Sequence, residues 1–408
     1  MTELLDVLIV GGGPVGACAG ALLVNGQRRG ADPLRVVVLE PRQPEAPPEG
    51  SPLDSRVVAI SRASERVVTS TGAWSRMPGR RIAAYERMCI WHETVSSSSD
   101  SALVFDAAEA GEPNLGYILE NRLLQVALLE AFAGAGGRIE SAELRGLRVG
   151  ADSVHVETTT GSLEARLVIG ADGAQSAVRE AVGLSAEVAD FRETAIVATI
   201  ATERPHANTA WQRFMHDGTL AFLPLADGNC SIVWSADNAV AASLNALSSA
   251  EFSAELTRAS DRALGSVTLV SERASFPLRR LAAHRYVANR CALIGDAAHV
   301  VHPLAGQGVN LGLLDAAALT QLLLDARGER EDPGALRVLR QYERWRKSET
   351  AFMSMAISAF DRFLAHGSGP LSRLAQRGLG WVNRSQELKR FFISRALGVT
   401  GELPRAAQ

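Results

Sequence analysis

The chain has 408 residues, enough for two domains and a large hydrophobic core. Hydrophobic residues make up 47% of it and charged residues 21%, which is typical of a globular protein. The net charge of −3 gives no electrostatic reason for nucleic-acid binding. The four cysteines are scattered without a C-x-x-C pair, which argues against a disulfide framework, and no metal site is predicted.

The amino terminus has neither a basic segment nor a cleavable apolar segment, and a strand-like run begins within the first ten residues. No apolar run approaches the length that is needed to cross a bilayer. These features predict a cytoplasmic location.

The first nucleotide-binding signal follows the apolar run Val7 to Val10, which predicts a buried strand. A G-x-G-x-x-G turn comes next, made by Gly11, Gly13 and Gly16, and helix-like sequence continues to Leu23. In such a turn the first glycine permits the bend, the second lets a pyrophosphate approach the backbone, and the third lets helix pack on strand. A second apolar run ends at Glu40, 24 residues after Gly16, where an acid can bind a free ribose 2′-hydroxyl. FAD or NAD therefore fits better than NADP.

A second signal lies near residue 295. The run Cys291 to Ile294 predicts another buried strand, followed by a Gly295-Asp296 turn. A further glycine-rich turn, Gly306-Gln307-Gly308, precedes a helix that begins near Asn310. Glycine lets the backbone approach a flat or charged ligand, and an Asp directly after a strand suits a ribose hydroxyl.

Between these signals, leucine spacing predicts a helix over residues 121–133, and a strand pair is predicted around residues 144–160. A strand over residues 167–170 then ends in an Asp172-Gly173 turn, after which Ser176 can cap a helix. Arg179 could brace this turn.

Residues 190–285 alternate between apolar and polar side chains, which predicts a separate antiparallel sheet with an Asp-Gly hairpin at residues 226–229. The predicted fold class is α/β, or α+β overall: a Rossmann-type nucleotide-binding domain, an inserted antiparallel β-sheet domain and a C-terminal helical region. We expect residues 1–75, 105–185 and 286–335 in the first, residues 76–104 and 186–285 in the second, and residues 336–408 in the third.

Three motifs in this order, GGGPVG, GADGAQSAVR and GDAAHVVHPLAGQG, resemble the single-component flavin monooxygenases that hydroxylate aromatic rings, which have the para-hydroxybenzoate hydroxylase fold. The segments Asp54-Ser55-Arg56 and Leu119-Glu120-Asn121-Arg122, with the tail residues 388–392, look like the ubiquinone-biosynthesis hydroxylases. Within that branch the chain looks most like the enzyme that hydroxylates C5 of a 2-polyprenylphenol.

The resemblance implies the following cofactor-binding residues. Gly11, Gly13 and Gly16 would contact the FAD pyrophosphate and Glu40 the adenosine ribose, while Arg56 and Arg122 would offset the diphosphate charge. A surface salt bridge is the alternative for each arginine. Asp172 would lie close to the cofactor, Asp296 would bind its ribityl or ribose part, and the segment Gly306, Gln307, Gly308 to Asn310 would hold the flavin ring with backbone N–H groups.

The resemblance also implies that NAD(P)H and O₂ are co-substrates and that a C4a-hydroperoxyflavin hydroxylates the phenol ring. We expect an apolar substrate pocket on the strand face of Leu220, Phe222 and Pro224, with Pro303 nearby; simple sheet core is the alternative. His302 is a weak catalytic candidate and His299 a weaker one, because a lone histidine is more often a packed or hydrogen-bonded group.

Residues 371–400 contain six arginines and lysines but one acid, together with apolar side chains. This pattern predicts contact with the inner face of an anionic membrane, where a polyprenyl substrate resides, or with a partner in a ubiquinone-biosynthesis complex. A helix packed on the nucleotide-binding domain is the alternative. Two other functions stay open: a flavin hydroxylase of another ring position or another phenol, and a non-catalytic FAD-binding assembly subunit.

Overall fold

A computed structural model describes residues 3–26, 33–301, 307–364, 398 and 401–408. Within these ranges, 20 strands form three sheets, and eight helices accompany them. The helices are α1 (Pro14–Asn25), α2 (Arg62–Ser70), α3 (Asn121–Gly134), α4 (Ala177–Ala181), α5 (Asn238–Ala246), α6 (Ser249–Ala259), α7 (Gln307–Gly328) and α8 (Leu336–Leu364).

The first sheet has five parallel strands in the order β8-β2-β1-β11-β19. Its centre is the run Val7 to Val10, in which every residue is buried, as expected for a parallel strand covered on both faces. Helix α1 packs against α3 and α7 beside it. The strands of this sheet are β1 (Leu4–Val10), β2 (Val36–Leu39), β8 (Arg138–Glu140), β9 (Leu144–Val149), β10 (Val154–Thr158), β11 (Gly161–Gly170), β18 (Val287–Ala288) and β19 (Cys291–Leu293).

The second sheet has nine strands, and helices α5 and α6 cover one of its faces. The predicted hairpin is present: β14 and β15 pair antiparallel, and Gly228 has a φ of +88° in the turn. The strands of this sheet are β5 (Arg87–His92), β6 (Leu103–Asp106), β12 (Ala186–Thr202), β13 (Thr209–Met215), β14 (Gly218–Pro224), β15 (Cys230–Asp237), β16 (Val267–Leu269), β17 (Ala274–Ala283) and β20 (His299–Val300).

Two features of this second sheet differ from the sequence prediction. Strands β13 and β5 pair in parallel, so the sheet is mixed rather than purely antiparallel. Residues 238–259 form α5 and α6 rather than strands, because Phe252, Leu256 and Leu244 fall at helical spacing and fill the space over the sheet.

A third, antiparallel sheet joins the two larger ones. It consists of β3 (Val57–Ser61), β7 (Gly116–Glu120) and β4 (Ile82–Tyr85). Its residues Ala59 and Ile118 pack against Leu223 and Leu225 of the second sheet. On the other side, the Asn310 side chain of α7 accepts a hydrogen bond from Ser61 N at 2.9 Å and donates to the Ala59 carbonyl at 2.8 Å.

Over Gly308–Gly328, helix α7 is long and apolar enough to cross a membrane by length and composition alone, which was not expected from the sequence. In the structure, 72% of its most apolar 18-residue stretch is buried in the protein. Leu313, Ala316 and Leu319 are fully buried in the hydrophobic core around the first sheet. The helix therefore has the surroundings of a core helix.

Candidate functional site

The carboxyl ends of β1, β2, β11 and β19 meet at one edge of the first sheet, and a turn follows each of them. The glycine turn after β1 is closely packed: a Cβ on Gly16 would lie 2.0 Å from the Gly11 carbonyl oxygen. A Cβ on Gly13 would have no atom within 4 Å. Gly13 therefore faces open space directly at the start of α1, where helix N–H groups and the helix dipole favour a phosphate.

Glu40 ends β2 beside this turn. Its carboxylate accepts hydrogen bonds from Gly12 N at 2.9 Å and from Arg42 N at 3.1 Å. Gln125 of α3 donates to the Gly12 carbonyl at 2.9 Å from the other side. Glu40 thus lies beside the glycine turn and holds its backbone.

The Asp172 turn follows β11 directly. Asp172 Oδ2 accepts a hydrogen bond from Val178 N at 3.0 Å, whereas its Oδ1 is buried without a protein partner. Ser176 caps α4 by accepting from Arg179 N at 2.9 Å, as the sequence predicts. The Arg179 guanidinium donates to the carbonyls of Ala174 and Ala297, at 2.7 and 2.8 Å, so it joins this turn to the one after β19.

The turn after β19 carries Asp296. A Cβ on Gly295, which has a φ of +58°, would lie 3.2 Å from Val15 Cγ1 of α1. Asp296 is exposed. Desolvation by the surrounding turns nevertheless raises the pKa of its carboxyl, and the charges of His299 and Arg56 partly offset this effect. The structure therefore brings the turns at Gly11, Asp172 and Asp296 together from distant parts of the chain.

Two arginines approach this edge from other elements. Arg56 is exposed just before β3, and its charge acts on Asp296. Arg122 lies in the first turn of α3, and its Nε is buried with no hydrogen-bond partner among the described residues. A buried guanidinium N–H without a protein acceptor suits an anionic ligand.

A buried charged cluster that was not predicted from the sequence lies beneath the Asp296 turn and consists of Asp315 of α7, Arg346 of α8 and His299. Burial alone would raise the pKa of the Asp315 carboxyl, but His299 and Arg346 outweigh it and hold the pKa below its ordinary value. The signal was available: a charged residue in an apolar helical run, such as Asp315 after Leu313-Leu314, needs a buried partner.

The late glycine-rich turn is described only in part. His302, Pro303 and Gly306 lie outside the described residues. Gln307 begins α7, with Gly308 in its first turn, and the Asn310 side chain makes two hydrogen bonds to β3.

The structure corrects the predicted pocket face of β14. Phe222 and Leu220 are completely buried and belong to the cluster that α5 and α6 cover. Pro224 is also buried, and it pairs with Cys230 at the end of the strand. Strand alternation shows which residues share a face, but not which face the helices cover.

The residues at this edge of the sheet fit FAD. The open position at Gly13 leaves room for a pyrophosphate, and the unpartnered Arg122 Nε can donate to its oxygens. The unpartnered Asp172 Oδ1 and the exposed Asp296 offer acceptors for hydroxyl groups. None of these atoms needs to break a protein hydrogen bond to bind the ligand.

Comparison with known proteins agrees with this site. Residues 4–350 match the family described as FAD binding domain. The chain is 36% identical over 399 residues to the ubiquinone hydroxylase UbiL of Rhodospirillum rubrum, covering 97% of this chain and 90% of that protein. It is 35% identical over 398 residues to the 3-demethoxyubiquinol 3-hydroxylase of Escherichia coli K12, covering 97% and 98%.

Among solved structures, p-nitrophenol 4-monooxygenase PnpA of Pseudomonas putida DLL-E4 has the same fold, with a TM-score of 0.74 at 20% identity over 97% of this chain and 99% of that one. The sequence resemblance to flavin monooxygenases is thus confirmed. The chain belongs to the FAD-binding-domain family and, within it, to the ubiquinone-biosynthesis flavin monooxygenases.

Proposed function

We propose that this FAD-dependent monooxygenase hydroxylates the aromatic ring of a polyprenylphenol, at C5, with NAD(P)H and O₂ as co-substrates. The observation that carries the proposal is the convergence of the Gly11, Asp172 and Asp296 turns at one edge of the first sheet, in a chain whose relatives include a protein named as a ubiquinone hydroxylase. Bound flavin supplies the chemistry: electrons from NAD(P)H let it activate O₂ and transfer one oxygen atom to the ring, while the other leaves as water.

The chain's own residues would bind FAD, orient the aromatic ring and shield both from water. Arg122 and the amino end of α1 would neutralise the diphosphate, and Glu40 and Asp296 would hold its sugar hydroxyls. The close acid–base pair in the described part of the site, His299 and Asp315, is buried beneath the Asp296 turn, so we assign no catalytic residue. The remaining task is to exclude water and to hold an apolar ring against the flavin.

The face of β14 opposite Phe222 supports an apolar substrate pocket. Ser231, which pairs with Leu223, donates a hydrogen bond to the Ser55 carbonyl at 3.3 Å, so this face lies toward the loop that carries Arg56. Leu223, Val233 and Val197 share the face and are half-buried rather than fully packed. We propose that these three residues line the ring-binding pocket.

A second candidate is hydroxylation of another ring position. The relative from E. coli, which the chain covers over 98% of its length, is named for hydroxylation at position 3 of demethoxyubiquinol. The same fold and the same FAD-binding residues are compatible with hydroxylation at either ring position.

Gene deletion followed by mass spectrometry of the accumulated quinone precursors separates these candidates. Unhydroxylated polyprenylphenol is the expected precursor, and a plasmid copy of the gene should remove it. A methoxylated or demethyl precursor would move the assignment to a later ring position. In vitro, ¹⁸O₂ should add one ¹⁸O atom to the product, whereas H₂¹⁸O should add none.

A subunit that binds FAD without turnover would behave differently. Neither NADH nor NADPH would bleach its flavin, with or without the phenol. The predicted contact of residues 371–400 with a membrane at its inner face, or with a biosynthetic complex, concerns a stretch of which only Gly398 is among the described residues, and it stays a prediction.

A further inference from the structure

Asp315 of α7 is fully buried, and its carboxylate takes part in three interactions. Oδ2 accepts hydrogen bonds from Gly295 N at 3.1 Å and from the His299 ring Nε2 at 2.6 Å. Oδ1 accepts from Arg346 Nε of α8 at 2.8 Å. Because an ionised carboxylate has no proton to donate, His299 must be the donor at its Nε2.

The two contacts at Oδ2 bracket Asp296. Gly295 is the residue before it, and His299 lies three residues after it, so one oxygen atom holds both ends of the turn. A hydrogen bond from Ala298 N to the Gly295 carbonyl, at 2.9 Å, closes the turn between them. Asp296 itself is exposed, while the atoms that fix its backbone are buried.

Arg346 holds this carboxylate in place. Its side chain is 3% exposed, and its guanidinium comes from a different helix, so α8 supplies the counter-charge to α7. The rings of Tyr286 and His299 lie 5.7 Å apart, which limits rotation of the imidazole. Helix α7, helix α8 and the ring of Tyr286 therefore hold the cluster in place.

We propose that Asp315, anchored by Arg346, is a positioning residue for FAD binding: it sets the backbone of the turn from which Asp296 contacts the cofactor. Neither residue needs to touch FAD. The inference rests on the contact between Asp296 and FAD proposed above, and it goes beyond that contact by making it depend on a buried ion pair.

The three hydrogen bonds to Asp315 require the charge of its carboxylate as well as its shape. Asparagine has nearly the same volume but offers one acceptor oxygen, and its amide nitrogen would face one of the three present donors. Asp315→Asn would also leave the Arg346 guanidinium buried without its counter-charge. The turn should then relax, and Asp296 should lose its position.

The test measures the dissociation constant of FAD from reconstituted apoprotein by flavin fluorescence, in a cycle of Asp315→Asn, Asp296→Asn and the double variant. Each single change should weaken FAD binding by about tenfold or more. In the Asp296→Asn background, Asp315→Asn should add less than about twofold, because its effect passes through Asp296. Urea midpoints of the apoproteins report folding separately.

Asp332→Asn is the matched control. Asp332 also accepts from an arginine, Arg290 at 2.6 Å, and from a glycine N–H, Gly334 at 2.9 Å. This pair lies next to the amino end of β19, at the opposite edge of the sheet. The control should lower the urea midpoint but leave the FAD dissociation constant unchanged.

If Asp315→Asn does not fold, a pair of substitutions at His299 replaces it. His299→Leu removes the donor to Asp315 at similar volume, and His299→Gln keeps one; FAD binding should weaken in the first and recover at least partly in the second. Equal binding in these two variants, or full additivity of Asp315→Asn with Asp296→Asn, would overturn the inference. An unchanged FAD affinity in Asp296→Asn alone would overturn both the inference and the proposed contact between Asp296 and FAD. Neither result bears on the separate proposal that the enzyme hydroxylates a polyprenylphenol.

Discussion

Gly11 lies directly against Ala171, so that a Cβ on Gly11 would be 2.4 Å from the Ala171 carbonyl oxygen. The backbone of Gly11 has a φ of +103°, which a residue with a side chain rarely adopts. Ala171 N in turn donates to the Val10 carbonyl at 2.8 Å. The first glycine of the fingerprint is thus required by the protein, independently of any ligand.

We expect Gly11→Ala and Gly13→Ala to separate folding from binding. Gly11→Ala should destabilise the fold by about 1–3 kcal/mol through backbone strain. The clash between the new Cβ and Ala171 should add to this cost. Gly13→Ala should change stability by no more than about 0.5 kcal/mol, since its Cβ meets no protein atom. It should still weaken FAD binding by about tenfold or more, because it fills the phosphate side of the turn.

Urea unfolding of the apoproteins and FAD titration measure the two effects. A Gly13→Ala variant that binds FAD as tightly as the wild type would place the diphosphate elsewhere.

Asp296→Asn should stabilise the apoprotein while weakening FAD binding. Because the folded pKa of Asp296 is raised, the folded state holds its proton more tightly than the unfolded chain does. The stability of the wild type therefore falls as the pH rises from the ordinary value of about 3.9 through the raised value, and it stays lower at neutral pH.

Asparagine carries no charge, so the variant should melt at a higher temperature than the wild type at pH 7, and the difference should vanish below about pH 3.9. The exposure of Asp296 keeps this gain small. Thermal melts between pH 3 and 8 without FAD test the sign, and equal melting temperatures at pH 7 would contradict it.

Phe222 and Leu223 are neighbours on β14 with opposite surroundings. Phe222→Ala should cost about 3–5 kcal/mol, because it opens a cavity under α5 and α6. Leu223→Ala should cost only about 1 kcal/mol, since Leu223 is half-buried.

In turnover assays, Leu223→Ala should raise KM for the phenol or loosen the coupling of NAD(P)H oxidation to hydroxylation. Phe222→Ala should lower the fraction of folded enzyme without changing KM. The reverse pattern would return the pocket to the Phe222 face.

Ser248→Ala should lower the stability of the inserted sheet and its helices by about 1 kcal/mol. Ser248 accepts from Glu251 N at 3.3 Å, and Glu251 accepts from Ser248 N at 2.9 Å, which completes a capping box. Ser249→Ala, at the exposed next position, is the control and should be neutral. FAD affinity should not change in either variant, and hydrogen exchange in α6 should report the loss of the cap.

The parts of the fold that the sequence predicted well are those in which local pattern and tertiary role agree. The run Val7 to Val10 with its glycine turn is both a good strand and a good phosphate site, and the structure has β1 and α1 there. In residues 238–259 the prediction of strands rested on apolar–polar alternation, whereas the capping box at Ser248 marks the start of helix α6.

The Asp315–Arg346 pair could not be predicted from the sequence for another reason. The two residues are 31 positions apart, on different helices, and their contact depends on how α7 packs against α8. The covered face of β14 is a property of the same kind, because only α5 and α6, elsewhere in the chain, decide which side of the strand is closed.

The strand order of the first sheet also constrains biosynthesis. Its central strand β1 ends at Val10, but its neighbour β11 begins at Gly161, and β19 follows only at Cys291. At about 5–20 residues per second, the ribosome exposes β1 for roughly 8–30 s before its neighbour β11 begins to emerge. During that interval an apolar strand has no native partner on one side, so nascent chains should depend on chaperones, and truncated products that stop before residue 291 should aggregate rather than accumulate as soluble fragments.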